Sequence, residues 1–247
     1  MKELFSVLFL ILLGINTFGQ SSGHSDKLYP SKTNLSRYHN NWTQKYYPKR
    51  IQEFRLDPLN FGDIVFIGNS ITEGGLDWRR KFGIAHIRNR GIAGDVTDGV
   101  IKRLKEITYF KPKAVFILIG INDLFSLHHL EDNPALKYDK VVPSPQYIAK
   151  NILRISKIIH RGSPGTKIYV RTLLPTQREY LKQDILLVNA LIRQNELKGY
   201  YNAIDLYAQF VDEKGELPGK FTKDGVHLND LGYEKWVGFE KPIIEGL

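Results

Sequence analysis

Short apolar runs alternate along the chain with longer stretches in which apolar residues recur every three or four positions. Continuous runs that are bounded by turn residues are typical of strands buried on both faces of a sheet. They predict five strands, the second of which is the least marked, at 63–67, 86–89, 114–119, 167–173 and 201–206.

The stretches between these runs have the spacing of amphipathic helices. Ser144 followed by Pro145 is the signature of a helix N-cap and first turn. The pattern predicts helices at 46–54, 98–107, 145–160 and 181–197. Because strands that alternate with helices form βαβ units, the predicted fold is a single three-layer α/β/α sandwich around a mostly parallel five-stranded sheet.

The loops that follow the strands are the expected place of the functional site. In sheets of this kind, ligands bind beyond the carboxyl ends of the strands, where the loops meet. A motif that carries chemistry should therefore come directly after a strand.

The first residues have the pattern of an export signal. Lys2 precedes an apolar run at 4–13, and Thr17 and Gly19 are small residues at positions that a signal peptidase prefers. We therefore predict a signal peptide at 1–19 and a secreted or periplasmic protein. The run is shorter than the roughly 20 apolar residues that span a bilayer, so no stable membrane insertion is expected.

The chain behind this signal divides into two parts. Residues 20–45 are polar and rich in Ser, Asn and Tyr, which predicts a lead-in outside the core. Residues 46–247 carry the alternating strand and helix pattern and are predicted to form one domain.

Composition excludes several classes of protein. The 247 residues include 35 lysines and arginines against 26 aspartates and glutamates, a formal net charge of +9. These charges are spread along the chain without a dense basic run, which favours a solvated surface over nucleic-acid binding. The absence of cysteine excludes disulfides, thiolate metal sites, a cysteine nucleophile and a lipid-modified cysteine.

The first candidate motif is Gly68-Asn69-Ser70-Ile71-Thr72, directly after the first predicted strand. A serine on a strand-to-helix turn presents its hydroxyl to solvent near helix N–H groups. Thr72 stands where the Gly-x-Ser-x-Gly elbow has its second glycine. On this segment alone, a nucleophile competes with an N-cap serine and with a phosphate-binding loop of the flavodoxin kind.

Two further motifs offer hydrogen-bond donors for an oxyanion. Residues 89–95 follow the second strand, and their glycines, including Gly94, allow a tight turn with an exposed backbone N–H. Residues 120–123 follow the third strand, and Asn122 offers a side-chain N–H. Taken alone, a plain turn explains the first segment, and an Asx-turn explains the second as well as a donor does.

The fourth motif is Asp224-Gly225-Val226-His227, near the end of the sequence. A serine nucleophile needs a base to take its proton, and the base needs a partner that fixes its tautomer. An aspartate three residues before a histidine can reach the histidine Nδ1–H across one turn. A structural histidine is the alternative, and the nearby aspartate disfavours it.

In this order and context, the four segments resemble the SGNH (GDSL-type) hydrolase family over roughly residues 62–236. The resemblance implies a flavodoxin-like strand order. It also implies that Ser70 is the nucleophile and that Asp224 and His227 complete a catalytic triad.

The resemblance further implies an oxyanion hole made by the Ser70 backbone N–H, Gly94 and Asn122. Asn69 stands where the family's name motif has aspartate. It keeps the size and the hydrogen-bonding ability of that side chain and loses its charge.

Members of this family include carbohydrate acetylesterases, lysophospholipases, thioesterases and platelet-activating-factor-type acetylhydrolases, and residues 89–95 are most similar to the last group. The resemblance predicts a serine esterase that removes a short acyl group, acetyl above all, from a small-molecule or glycan ester. It implies no metal and no cofactor, and His128 and His129 are interpreted as surface or substrate-loop residues. The alternatives are a lysophospholipase or thioesterase, or a flavodoxin-like or glycan-binding module without turnover.

Overall fold

The computed structural model describes residues 26–31 and 33–247, and in these residues five strands form one parallel sheet. The strands are β1 (Ile64–Gly68), β2 (Ile87–Gly91), β3 (Ala114–Leu118), β4 (Lys167–Arg171) and β5 (Asn202–Ile204). Their spatial order is β2-β1-β3-β4-β5. The predicted number of strands and their parallel arrangement are confirmed.

Helices cover the two faces of this sheet. They are α1 (Thr43–Leu56), α2 (Ser70–Glu73), α3 (Trp78–Phe82), α4 (Thr97–Lys102), α5 (Lys105–Phe110), α6 (Ile121–Leu127), α7 (Pro145–Gly162), α8 (Lys182–Glu196), α9 (Leu206–Phe210) and α10 (Asp230–Glu245). Short 3₁₀ helices lie at Asp26–Leu28, Glu179–Leu181 and Gly219–Phe221. On one face α7 packs against α4, α5 and α8, and elsewhere α10 packs against α3 and α9. The three-layer α/β/α fold is therefore confirmed.

The switch point of the sheet lies between β1 and β3. The chain passes from β1 to β2 on one side and then returns to place β3 on the other side. Gly68 at the end of β1 is level with Leu118 at the end of β3. Because the following loops turn in opposite directions, a crevice opens between them, and such a crevice is where ligands bind in sheets of this kind.

The predicted helix at 98–107 is wrong in one respect, because two short helices occupy this stretch. The break comes at Arg103, whose backbone leaves the helical region at φ −114° and ψ 18°. Its side chain is buried and bonds to Asp95 and to the carbonyl oxygen of Gly68. A continuous helix would not hold the guanidinium at this place under the crevice.

Part of the predicted polar lead-in packs on the domain. Tyr38 is 2% exposed and contacts the ring of Tyr147 edge-on at 5.6 Å. His39 is fully buried, and α1 begins at Thr43, three residues earlier than expected. The polar composition concealed these contacts because several of the buried side chains, such as Ser36, His39 and Asn40, are themselves polar. The predicted signal peptide lies outside the described residues.

A buried ion pair joins the sheet to α10. Arg171 of β4 donates to both carboxylate oxygens of Glu240 at 2.7 Å, and both side chains are fully buried. The guanidinium also lies over the rings of Phe66, Phe116 and Trp236. A bidentate ion pair fixes the orientation of the two side chains as well as their distance, so this pair holds α10 in register with the sheet.

Candidate active site

Ser70 lies at the start of the short helix α2, directly behind β1. Asn69 caps this helix, because its side-chain oxygen accepts a hydrogen bond from Ile71 N at 3.0 Å. The turn is also held from below by Tyr233, whose hydroxyl donates to the carbonyl oxygen of Ile71 at 2.8 Å. Ser70 is half-buried, and its hydroxyl lies at the carboxyl edge of the sheet where the crevice opens.

The structure brings Ser70, His227 and Asp224 together. The distance between Ser70 Oγ and His227 Nε2 is 2.9 Å, and that between His227 Nδ1 and Asp224 Oδ2 is 2.7 Å. Ser70 and His227 are 157 positions apart in sequence. In the tautomer that carries its proton on Nδ1, Nδ1–H donates a hydrogen bond to Asp224. The unprotonated Nε2 then faces the serine hydroxyl and can accept its proton.

The loop that carries His227 is shaped by the carboxylate of Asp224. Its Oδ1 atom accepts hydrogen bonds from Val226 N at 3.0 Å and from His227 N at 2.8 Å. Partial burial raises the pKa of Asp224, but these bonds and the contact with the His227 ring outweigh that effect and leave the pKa below its usual value. The carboxylate is therefore ionised at neutral pH and orients the imidazole.

Asp95, which follows Gly94 in the chain, links the Gly94 turn to Asn122. Asn122 Nδ2 donates to the carbonyl oxygen of Asp95 at 3.0 Å. This bond uses one of the two hydrogens of the amide group, which leaves the other to donate to a ligand. Gly94 has φ +77°, a left-handed conformation that favours glycine. Both residues lie beyond the strand ends where the sequence placed them, and their role as oxyanion donors stays a prediction.

The side chain of Asp95 anchors this turn from inside. It is fully buried, and its two oxygens contact His39 Nε2 and Arg103 Nε, each at 3.0 Å. Arg103 also donates to the carbonyl oxygens of Arg90 and Gly68, at 2.8 and 3.0 Å. One guanidinium thus fixes the ends of β1 and β2 relative to the turn. The sequence analysis placed Asp95 in the turn at 89–95 and predicted neither of its partners.

Helix α1 supports the same turn from outside. Thr43 Oγ1 lies 3.4 Å from the carbonyl oxygen of Gly94, and a side chain on Gly94 would collide with Thr43. Tyr46 donates to Glu73, and the other oxygen of that carboxylate accepts from Ala93 N at 2.5 Å. Burial and the contact with Glu73 raise the pKa of Tyr46 to about 12, so its hydroxyl remains a donor. The sequence contained no local signal for these long-range contacts.

A second buried carboxylate lies next to Asn122. Asp123 is fully buried and accepts hydrogen bonds from the backbone N–H and the hydroxyl of Thr97, the latter at 2.6 Å. Asn151 donates to the same hydroxyl at 3.0 Å. Burial raises the pKa of Asp123 to about 7, although the bonds from Thr97 oppose the rise. These contacts tie the first turn of α6 to α4 and α7 and so fix the place of Asn122.

A small apolar space, about 10 Å³ in volume, lies next to Asn69 at the ends of β1 and β3. Asn69, which precedes Ser70 in the chain, forms part of its lining. A space of this size holds about one water-sized group. Its apolar lining consists of Ile71, Leu118, Ile121, Leu173 and Leu174.

His128, the first of two adjacent histidines that follow α6, lies between two carboxylates. His128 contacts Glu131 at 2.9 Å and Asp184 of α8 at 2.7 Å, so it bridges two carboxylates. Burial lowers the pKa of His128, but the two carboxylates outweigh this and raise it above its ordinary value.

Within residues 26–31 and 33–247, no cluster of three or more His, Asp or Glu side chains has the geometry to hold a metal ion. In the same residues, no helix is long and apolar enough to cross a membrane.

Known proteins have sequences similar to most of this chain. The model of the GDSL-like Lipase/Acylhydrolase family matches residues 66–235. The platelet-activating factor acetylhydrolase IB subunit alpha2 of Homo sapiens is 29% identical over 181 residues, which cover 70% of this chain and 72% of that protein.

Two solved structures have a similar fold. A GDSL-like lipase from Bacteroides thetaiotaomicron has a TM-score of 0.65 at 22% identity, covering 83% of this chain and 97% of its own. A catalytic mutant of an acetylxylan esterase from Geobacillus stearothermophilus has a TM-score of 0.60 at 18% identity, covering 75% of this chain and 95% of its own. The family match spans both Ser70 and His227. The chain therefore belongs to the GDSL-like lipase/acylhydrolase family and is an enzyme that hydrolyses esters.

Proposed function

We propose that the protein is a secreted serine esterase that removes acetyl groups from carbohydrate, with Ser70 as nucleophile. The observation that carries this proposal is the chain of contacts from Ser70 Oγ through His227 to Asp224, at 2.9 and 2.7 Å. A hydroxyl, a base and an orienting carboxylate in this order are the parts that acyl transfer requires.

The reaction proceeds in two halves. His227 Nε2 takes the hydroxyl proton while Ser70 Oγ bonds to the carbonyl carbon of the ester, and the carbonyl electrons move to the oxygen. When this tetrahedral intermediate collapses, the bond to the alcohol breaks and His227 returns the proton to the leaving oxygen. Water then attacks the acyl-enzyme with His227 again as base, which releases the carboxylic acid and restores Ser70.

Asn122→Ala is expected to lower kcat by about 10²–10³ while KM changes little, because a donor to the developing oxyanion is lost. The measurement is steady-state hydrolysis of p-nitrophenyl acetate. Asn195→Ala is the matched control, since Asn195 lies in α8 and contacts Lys198. Nearly full activity of Asn122→Ala would remove Asn122 from the oxyanion hole.

Two observations support acetyl as the acyl group. The platelet-activating factor acetylhydrolase subunit and the acetylxylan esterase are both named for acetyl esters, although their alcohols differ. The small apolar space next to Asn69, of about 10 Å³, has room for a methyl-sized group rather than for a fatty chain.

Carbohydrate as the alcohol, and export, have separate support. The acetylxylan esterase supports the first, and the pattern of residues 1–19 supports the second. Export is tested by N-terminal sequencing of the protein from an expressing bacterium, where a mature chain that begins near Gln20 is expected and an intact Met1 contradicts it.

The acyl preference is tested with p-nitrophenyl acetate, butyrate and octanoate, and the alcohol with acetylated xylan. We expect kcat/KM for acetate to exceed that for octanoate by roughly tenfold or more, because the longer chain does not fit. Acetate release from xylan is expected to disappear in Ser70→Ala. Faster cleavage of octanoate would instead favour a lysophospholipase.

A further inference from the structure

Trp42 presents an aromatic surface at the start of α1. Its ring stacks on that of Tyr46, with centroids 4.8 Å apart and planes inclined by 19°. Trp42 is 48% exposed, whereas the other two tryptophans, Trp78 and Trp236, are 1% and 0% exposed. Tyr46 thus covers one face of the Trp42 ring, and the opposite face is open to solvent.

This surface borders the turn that carries Gly94. Trp42 directly precedes Thr43, which contacts the carbonyl oxygen of Gly94. Tyr46 binds Glu73, the last residue of the short helix that begins at Ser70. The two aromatic residues are therefore attached to both loops that frame the proposed oxyanion hole.

The Trp42 ring is held in place before any ligand arrives. The backbone N–H of Trp42 donates to Asn40 Oδ1 at 3.1 Å, and the backbone N–H of Thr43 donates to the same oxygen. Tyr46, which supports the ring, is itself fixed through Glu73. A large aromatic side chain with few rotatable bonds gives contact area at a low cost in conformational entropy, and restraint of this kind lowers that cost further.

We propose that the open face of Trp42 is a subsite for a sugar ring of the substrate, adjacent to the sugar whose acetyl group Ser70 removes. A pyranose ring has a face of C–H groups and a rim of hydroxyls, and an amphipathic ring at a wet surface suits both. Leu197 serves as a control for an exposed apolar side chain away from the site, because it is 88% exposed and lies between α8 and β5, at the opposite edge of the sheet. The inference rests on the proposed carbohydrate esterase function and assigns its alcohol-binding side.

The kinetic test compares a substrate that reaches the subsite with one that does not. In Trp42→Ala, we expect KM for acetylated xylo-oligosaccharides to rise roughly three- to tenfold, while kcat/KM for p-nitrophenyl acetate stays within about twofold. Trp42→Phe should keep most of the wild-type KM, and Leu197→Ala should keep all of it. Equal losses on both substrates would show that Trp42 supports the turn structurally, and no loss on either would remove it from the site.

A binding test separates this subsite from the proposed reaction. In Ser70→Ala, which cannot turn over the ligand, xylotetraose and cellotetraose are titrated against tryptophan fluorescence. Because the other two tryptophans are buried, we expect saturable quenching that is absent from Ser70→Ala combined with Trp42→Phe. Quenching by an oligosaccharide that wild-type protein does not deacetylate when acetylated would uphold the subsite and reject the assigned reaction. Absence of quenching with either oligosaccharide would reject the subsite, whatever the enzyme hydrolyses.

Discussion

Ser70→Ala is expected to lower the rate of p-nitrophenyl acetate hydrolysis by about 10⁶-fold and to abolish labelling by a fluorophosphonate probe. The hydroxyl supplies the bond to the acyl carbon, so without it His227 has no proton to take and no acyl-enzyme forms. The oxyanion donors and Asp224 remain in place, which leaves only a small residual rate. Steady-state kinetics and the intact mass of the labelled protein give the two readouts.

The fold of this variant should be intact. The hydroxyl of Ser70 contacts His227 alone among the described residues, and the start of α2 is capped by Asn69. Ser31→Ala is the control, because Ser31 is exposed and its hydroxyl bonds only to Thr33 within the described chain. A Ser70→Ala protein that keeps its activity or still takes up the probe would show that a residue other than Ser70 is the nucleophile.

The parts of the site that the sequence predicted are those specified by short segments. Ser70 and Asn122 each follow a continuously apolar strand, and parallel strands bring their carboxyl ends to one edge. Asp224 and His227 are three residues apart, so their contact needs only one turn of chain. Contacts of this kind depend on local spacing and on the strand order, and both can be read along the chain.

The contacts that the sequence did not predict join distant segments. His39 reaches Asp95 across 56 positions, and Tyr46 reaches Glu73 across 27. His39 lies in a polar stretch whose composition is typical of a loop, so the sequence predicted a lead-in there. Tyr46 was predicted to lie in a helix, but the pattern did not indicate its contact with Glu73. Arg103 lies in a stretch with regular helical spacing. Its buried guanidinium, however, donates to Asp95 and to backbone carbonyl oxygens of β1 and β2, and these bonds stabilise the chain more than the continuation of one helix would.

These distant contacts converge on the turn at 91–95. Arg50 of α1 adds a hydrogen bond to the carbonyl oxygen of Gly91 at 3.1 Å. An oxyanion donor acts only if it is aimed before the reaction begins, because reorganisation would consume the stabilisation it gives. If Gly94 is an oxyanion donor as predicted, the segment before residue 46 supports the chemistry by holding this turn, without touching the reacting atoms.

Asp224→Asn is expected to lower kcat by about 10⁴-fold with little change in the fold. The magnitude is the one known for the corresponding change in a serine protease triad. The asparagine oxygen can keep the hydrogen bonds from Val226 N and His227 N, so the loop stays closed. The amide group, however, places a donor where Asp224 Oδ2 accepts, 2.7 Å from His227 Nδ1. This favours the tautomer that carries its proton on Nε2, which cannot accept the proton of Ser70.

The readouts are kcat for p-nitrophenyl acetate and the rate of fluorophosphonate labelling, which should fall together because both need the activated serine. Asp212→Asn is the matched control, since Asp212 also accepts backbone N–H groups in a loop, from Lys214 and Glu216, away from Ser70. If Asp224→Asn loses less than about tenfold while Ser70→Ala and a His227→Ala variant are inactive, the tautomer of His227 is fixed by another group. In that case the pair would be a dyad, and Asp224 would serve only to close its own loop.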